Sequence, residues 1–97
     1  MFDKMKELME MKKQADRLKK ELDSVVVDVE EVRGIKIRIS GSQQIQGIEI
    51  DETHLNADNK GRFEKDLMRS LNAATKRSQR LAAEKMKTIM PGGLPGM

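Results

Sequence analysis

The chain has 97 residues, of which 37% are hydrophobic and 36% are charged, with two Phe and no Trp, Tyr or Cys. This length allows one domain with a small core, and oligomerisation commonly stabilises such chains. The lack of cysteine excludes disulfides and thiolate metal sites, which fits a reducing cytosol. No segment approaches the roughly 20 apolar residues of a membrane span, and residues 1–11 lack the apolar run of a signal peptide.

Positive charge is concentrated in the last part of the chain. Residues 59–97 contain nine Lys/Arg and three Asp/Glu, a local excess of +6. Since the whole chain carries +3, residues 1–58 are net −3. This asymmetry predicts one cationic surface that is directed at a polyanion.

Residues 2–23 are predicted to form a helix about 30 Å long. Apolar residues spaced alternately by three and four give it an a/d stripe of three heptads: Leu8, Met11, Ala15, Leu18, Leu22 and Val25. Two interpretations stay open. The stripe either packs on the chain's own sheet or forms a seam with a second copy.

Residues 24–50 are predicted to form a three-stranded antiparallel meander. Branched aliphatic residues alternate with polar ones in three runs, namely Val25, Val27 and Val29, then Ile35, Ile37 and Ile39, then Ile48 and Ile50. A three-residue loop at 32–34 pairs Val29 with Ile37 and Val27 with Ile39. It also places Gly34 at the left-handed position of a G1 bulge.

The other face of this meander is predicted to be charged. With the loop at 32–34, acidic residues on this face lie opposite basic ones, Glu30 opposite Lys36 and Asp28 opposite Arg38. The next turn, at 41–44, pairs Ile37 with Ile48 and Ile35 with Ile50, and brings Glu49 beside Lys36. We interpret this face as a solvated sheet surface rather than a binding site.

Residues 51–61 are polar and rich in turn formers. Asp51 or Thr53 is predicted to cap a short helical turn, and Asp58 to cap a long helix from about residue 59 to 90. Its apolar residues lie broadly along one side: Phe63, Leu67, Leu71, Ala74, Leu81 and Met86. At about 45 Å this helix is longer than the strands, so part of it should project or meet a partner. Residues 1–90 should form a single domain, and 91–97 a flexible Pro/Gly tail.

No catalytic constellation is found in the sequence. The single histidine, His54, lies in a polar turn and is interpreted as solvated, and one His without Cys argues against a zinc site. The glycines match no phosphate-binding loop. We therefore expect neither an enzyme nor a cofactor or metal.

Basic residues form a stripe on the long helix, apart from its apolar side. The stripe contains Arg62, Lys65, Arg69, Lys76 and Arg80, with Arg77 at its border. Acidic partners are scarce after Asp66. Four of these six residues are arginines, whose planar guanidinium groups can bind phosphate through two donors at once. Composition alone leaves two interpretations open, a nucleic-acid surface and an ordinary solvated helix face.

Four segments carry a resemblance to a known family. They are the Met/Lys-rich opening helix of residues 1–22, Gly47-Ile48-Glu49-Ile50-Asp51, the runs at 66–67, 71–74 and 84–86, and the ending Met90-Pro91-Gly92-Gly93-Leu94-Pro95-Gly96-Met97. Their order and spacing resemble the YbaB/EbfC family of bacterial nucleoid-associated proteins over essentially the whole chain. One departure is the first hairpin, residues 30–34, which is more acidic than the glycine-rich hairpin common in that family.

The resemblance implies an α+β protein with the order α-β-β-β-α. It implies a homodimer whose sheets meet, whose helices project as arms and which binds duplex DNA in the cytoplasm and on the nucleoid, for chromosome organisation or gene regulation. In that family the DNA surface is attributed to the helical arms. The matching residues here are Lys12, Lys13, Arg17, Lys19 and Lys20 on the first helix and the stripe from Arg62 to Arg80 on the second.

Two functions are compatible with these features. The first is a dimer that clamps duplex DNA mainly through phosphates, with Asn72 and Gln79 as candidates for reading bases and no membrane or small-molecule partner. The lack of an aromatic stacking platform argues against single-strand and RNA specialists. The second is a protein-interaction adaptor whose arms grip a partner protein. The heptad stripe and the methionines support this function.

Overall fold

A computed structural model describes residues 2–89 of the chain. The elements are helix α1 (Phe2–Ser24), strands β1 (Val26–Val32), β2 (Ile35–Ser40) and β3 (Ile45–Ile50), two 3-10 turns (Glu52–His54 and Ala57–Asn59) and helix α2 (Lys60–Ile89). The strands form one antiparallel sheet in the order β1-β2-β3. The predicted α+β class and element order are confirmed. The tail predicted at 91–97 lies outside the described residues.

The pairing of β1 with β2 follows the predicted register up to Val29. Val27 faces Ile39 and Val29 faces Ile37, but the register then shifts and Val32 faces Ile35. The predicted three-residue loop is therefore wrong, because the turn has two residues and an extra residue enters β1 as a bulge at 30–31. The predicted pair of Glu30 with Lys36 is absent from the register for the same reason. Gly34 has φ +92°, the left-handed conformation predicted for it.

The core lies between α2 and the inner face of β1 and β2. Ile35, Ile37 and Ile39 are 0–1% exposed and meet Ala74 of α2, which is also fully buried. Partly buried neighbours surround them: Val27, Val29, Val32, Phe63, Leu67 and Leu71. The first part of the apolar side predicted for the long helix, from Phe63 to Ala74, therefore packs on the sheet.

Strand β3 lies at the open edge of this packing. Its register on β2 is the predicted one from Ile50 back to Gly47, with Ile48 opposite Ile37 and Glu49 opposite Lys36. The register then shifts by one residue, so that Ile45 faces Ile39. Ile45 and Ile48 face the same side as the core isoleucines, yet they are 47% and 46% exposed. Helix α2 packs mainly on β1 and β2, so the inner face of the third strand is left uncovered.

The outer face of the sheet is charged and internally compensated. Arg38 Nε donates to Asp28 Oδ1 at 3.0 Å, and Lys36 Nζ lies 3.9 Å from Glu49 Oε2. The hydrogen bond from Arg38 holds the pKa of the Asp28 carboxyl below its usual value. The contribution of this pair to folding stability is thus complete above the ordinary pKa of an aspartate. It is lost as the pH falls through the lowered pKa of Asp28. Both side chains are exposed, so the contribution is small.

Hydrogen bonds between residues close in sequence hold the linker after β3. Of the two predicted capping residues, Asp51 rather than Thr53 caps the first 3-10 turn, with its carboxylate accepting from Thr53 N at 3.1 Å. The second turn is capped by Asn56, which accepts from the Asp58 amide at 3.0 Å. The predicted capping by Asp58 is not seen, because the second turn runs directly into α2.

His54 is a structural residue rather than a solvated one. It is half-buried, and its Nε2 lies 2.8 Å from the carbonyl oxygen of Arg33. Since a carbonyl oxygen only accepts, Nε2 carries a hydrogen. The ring also lies 6.4 Å from the ring of Phe63, centroid to centroid. A Cβ on Gly34 would come within 2.8 Å of Nε2, so glycine at this turn allows the contact.

The ends of α1 and β2 meet α2 at one place, which we call the Ser40 junction. The fully buried Ser78 hydroxyl of α2 donates to the carbonyl oxygen of Ser40 at 2.7 Å. The amide of Gly41 donates to the carbonyls of Leu22 at 3.0 Å and Val25 at 2.8 Å. A Cβ at Gly41 would lie 3.1 Å from the Leu22 carbonyl, so both helices are fixed at close range here.

Beyond the junction α1 projects from the body of the protein. All side chains from residue 3 to 17 are exposed, and the molecule measures 66 × 21 × 19 Å. Within the a/d stripe, Leu8 is 65% and Met11 is 55% exposed, whereas Leu18 and Leu22 are half-buried. Only the last turns of this stripe therefore pack against the rest of the chain.

We predict that Ser78→Ala lowers the free energy of unfolding by about 1–2 kcal/mol, because it removes a buried hydrogen bond between α2 and the sheet. Ser70→Ala is the matched control. Ser70 is equally buried on the same helix, but its hydroxyl bonds to the Asp66 carbonyl one turn earlier. That change should cost less than about 0.5 kcal/mol. Urea unfolding of both variants checks this, and equal losses would contradict the role given to the Ser40 junction.

Candidate nucleic-acid interface

Five of the predicted cations come together in one groove. It runs between α2 and β1, and we call it the basic groove. Helix α2 contributes Lys65, Met68, Arg69, Asn72, Ala73, Lys76, Arg77 and Arg80, and β1 contributes Val29 and Glu31. Because α2 turns its buried side, with Ser70, Ala74 and Ser78, toward the sheet, its basic side chains fall along one wall of this groove.

The positive charge of the basic groove is largely uncompensated. Arg69 Nη2 lies 3.5 Å from Glu31 Oε1. Among residues 2–89, the other four cations of the groove have no carboxylate within 4.0 Å; these are Lys65, Lys76, Arg77 and Arg80. The groove is therefore a concave surface of four free cations and one paired cation, which is suited to binding an anion with several charges.

Arg62 belongs to the predicted stripe but does not line the basic groove. It stands one turn before Lys65 on the helix, and its Nε lies 4.0 Å from Asp66 Oδ2. This pair is the familiar i, i+4 arrangement of a helix surface. The structure thus separates a partly compensated Arg62 from the free cations further along α2.

The cations predicted on α1 fall into two sets. Lys13, Arg17 and Lys20 line a second shallow surface, together with Asp16, Glu21 and Ser24. Lys12 and Lys19 are exposed but do not line that surface, since their helical positions flank the a/d stripe. With two carboxylates among three cations, this surface is less positive than the basic groove. Glu21 also pairs with Lys85 of α2, at 3.7 Å.

Two predicted base readers are placed differently. Asn72 is exposed in the basic groove, between Arg69 and Lys76 along the helix, whereas Gln79 does not line it. An amide that lies between two cations has both the donor and the acceptor that base edges require. Of the two, Asn72 has the better position.

Glu31 is the groove residue that the sequence did not indicate. In regular alternation after Val29 it would point toward the core, so it stood out neither as a surface nor as a site residue. The bulge in β1 changes its direction and leaves both Glu30 and Glu31 exposed. The only signal was two adjacent glutamates in an alternating run, which does not say which one faces α2.

Within residues 2–89, no three or more His, Cys, Asp or Glu side chains are grouped so that they could hold a metal ion. None of the helices described there is long and apolar enough to cross a membrane.

Comparison with known proteins extends this picture. A protein of Rhodopseudomonas palustris (strain BisA53), described as a nucleoid-associated protein, is 29% identical over 99 residues, covering 96% of this chain and 91% of the relative. The YbaB/EbfC DNA-binding family matches residues 1–94, which include both helices and all three strands. The resemblance stated from the sequence is therefore confirmed, and the chain belongs to the YbaB/EbfC DNA-binding family.

Proposed function

We propose that this protein is a nucleoid-associated protein of the cytoplasm that clamps duplex DNA, mainly through phosphate contacts from the basic groove of α2. The observation that carries the proposal is the row of four groove cations without a carboxylate partner in the described chain. Unpaired cations on a concave surface attract a polyanion more strongly than the paired charges of the outer sheet face. Family membership supports DNA as that polyanion.

The size of the groove suits a phosphate backbone. Lys65 and Arg80 are 15 residues apart, which corresponds to about 22 Å along a helix axis. This is close to the rise of about six base pairs at ~3.4 Å each. Each phosphate neutralised by a lysine or arginine releases condensed counterions, and this release drives binding to any sequence. With Asn72 as the best-placed base reader, we infer weak sequence preference.

A second copy of the chain completes this function in our proposal. Ile45 and Ile48 lie exposed on the inner face of β3, at the sheet edge that α2 leaves uncovered. A sheet edge with exposed aliphatic side chains is a typical surface for pairing with another chain. Joining two sheets there would hide these isoleucines and present the basic groove twice. Two linked sites on one duplex bind more tightly than either alone.

One observation favours a second candidate function, a protein-interaction adaptor. Four large apolar side chains are exposed by 55–65% on the projecting part of α1: Met5, Leu8, Met9 and Met11. Methionine-rich helical surfaces adapt to many protein partners. A dimer without DNA affinity at low salt would favour the adaptor.

Duplex DNA of mixed sequence should bind with micromolar affinity or better at low salt. If four groove cations each neutralise one phosphate, the affinity should fall by about 10²-fold between roughly 50 and 200 mM salt. Fluorescence anisotropy with a labelled duplex across a salt series measures this. Affinity that stays flat over that range would rule out the phosphate clamp.

Reversal of three groove charges, Arg69→Glu with Lys76→Glu and Arg80→Glu, should reduce DNA affinity by more than about 10²-fold. The matched control reverses three α1 cations: Lys13→Glu, Arg17→Glu and Lys20→Glu. Because their surface already holds two carboxylates, we expect a loss of only about 10-fold. Mobility shifts, beside a solution mass for each variant, separate lost binding from lost assembly. The opposite ranking would move the main DNA surface to α1.

Ile48→Asp should convert a dimer to a monomer, since it places a charge within the proposed apolar contact. Val26→Asp is the control, because Val26 is also an exposed aliphatic residue of the sheet, 39% exposed, but alternates to the outer face. Light scattering after size exclusion gives the masses, and circular dichroism checks folding. A folded Ile48→Asp variant that keeps the mass of a dimer would place the interface elsewhere.

A further inference from the structure

Two neighbouring carboxylates at the bulge in β1 lie beside different surfaces of the protein. Glu31 reaches into the basic groove, where its Oε1 lies 3.5 Å from Arg69 Nη2. Glu30 lies by another concave surface, beside Lys36 and Glu49, and its Oε2 accepts from the Gly34 amide at 3.5 Å. Adjacent residues of the same type therefore have different surroundings, and only one of them meets the proposed DNA surface.

The pair of Glu31 with Arg69 contributes little to folding. The side chains are 44% and 66% exposed, and exposed ion pairs of this kind have small effects on stability. Its effect on the groove is larger, since Glu31 is the one carboxylate among the described residues that line it. A carboxylate oxygen on a guanidinium also takes the place that a phosphate oxygen would occupy, because both anions bind arginine through the same donors.

We propose that Glu31 is a built-in competitor of phosphate in the basic groove, an inference that rests on the function proposed above. In the free protein its carboxylate holds Arg69. When DNA binds, a phosphate takes over the guanidinium and the carboxylate swings away into solvent. Glu31 thus lowers the affinity for DNA at the one groove cation that is paired, while the four other cations are free to attract the duplex.

The test measures duplex DNA binding by the full chain at about 50 and about 200 mM salt, for the wild type, Glu31→Gln and Glu30→Gln. Glu31→Gln should bind about 3- to 5-fold more tightly at the lower salt, because no internal ion pair has to be broken. Glu30→Gln makes the same charge change one residue away, beside the other surface. It should alter affinity by less than about 2-fold, because in the described chain Glu30 neither lines the basic groove nor pairs with one of its cations.

A double-mutant cycle separates direct competition from a general charge effect. In an Arg69→Gln background, Glu31→Gln should lose most of its benefit, because the guanidinium that both anions share is gone. Equal gains from Glu30→Gln and Glu31→Gln, or the same Glu31→Gln gain with and without Arg69, would overturn the proposal. So would an unchanged affinity in folded Glu31→Gln, with the wild type still binding DNA in a salt-dependent way. A wild type that binds no duplex at either salt would instead refute the proposed function itself.

Discussion

The hydrogen bond from Ser78 to the Ser40 carbonyl is the constraint on which the other features depend. It is buried, it joins α2 to the end of β2, and next to it the Gly41 amide ties the end of α1 to the same place. Among the described residues, the fully buried core has only three isoleucines and one alanine, and the apolar residues around it are partly buried, so a directional buried bond adds to what orients α2. With α2 fixed at this point, its basic side lies along β1, and α1 has no support beyond its last turns.

Two charged surfaces of this small protein differ in how far their charges are paired with opposite ones. On the outer sheet face, Asp28 with Arg38 and Lys36 with Glu49 form cross-strand pairs, so the field outside that face is weak. In the basic groove most cations have no such partner in the described chain. This difference separates a solvated face from a candidate binding face, although both read as runs of charged residues in the sequence.

Periodic features could be predicted from the sequence, whereas features that depend on one inserted residue could not. Alternation of valine and isoleucine predicted the pairs of Val29 with Ile37 and Ile37 with Ile48, and helical spacing predicted the basic side of α2. The bulge at 30–31 escaped prediction because a loop of three residues and a bulge with a two-residue turn account for the same valines and isoleucines. Glu31 was missed with it. The role of His54 was missed because its partner, the Arg33 carbonyl, is 21 residues away.

The contact between His54 and Arg33 joins two parts of the chain that are far apart in sequence. His54 Nε2 donates to the carbonyl oxygen of Arg33 at 2.8 Å, and the ring has room to do so because Gly34 has no Cβ. A side chain at residue 34 would meet the ring and force it away from the β1–β2 turn. A change in the first hairpin would in this way release the linker that leads into α2.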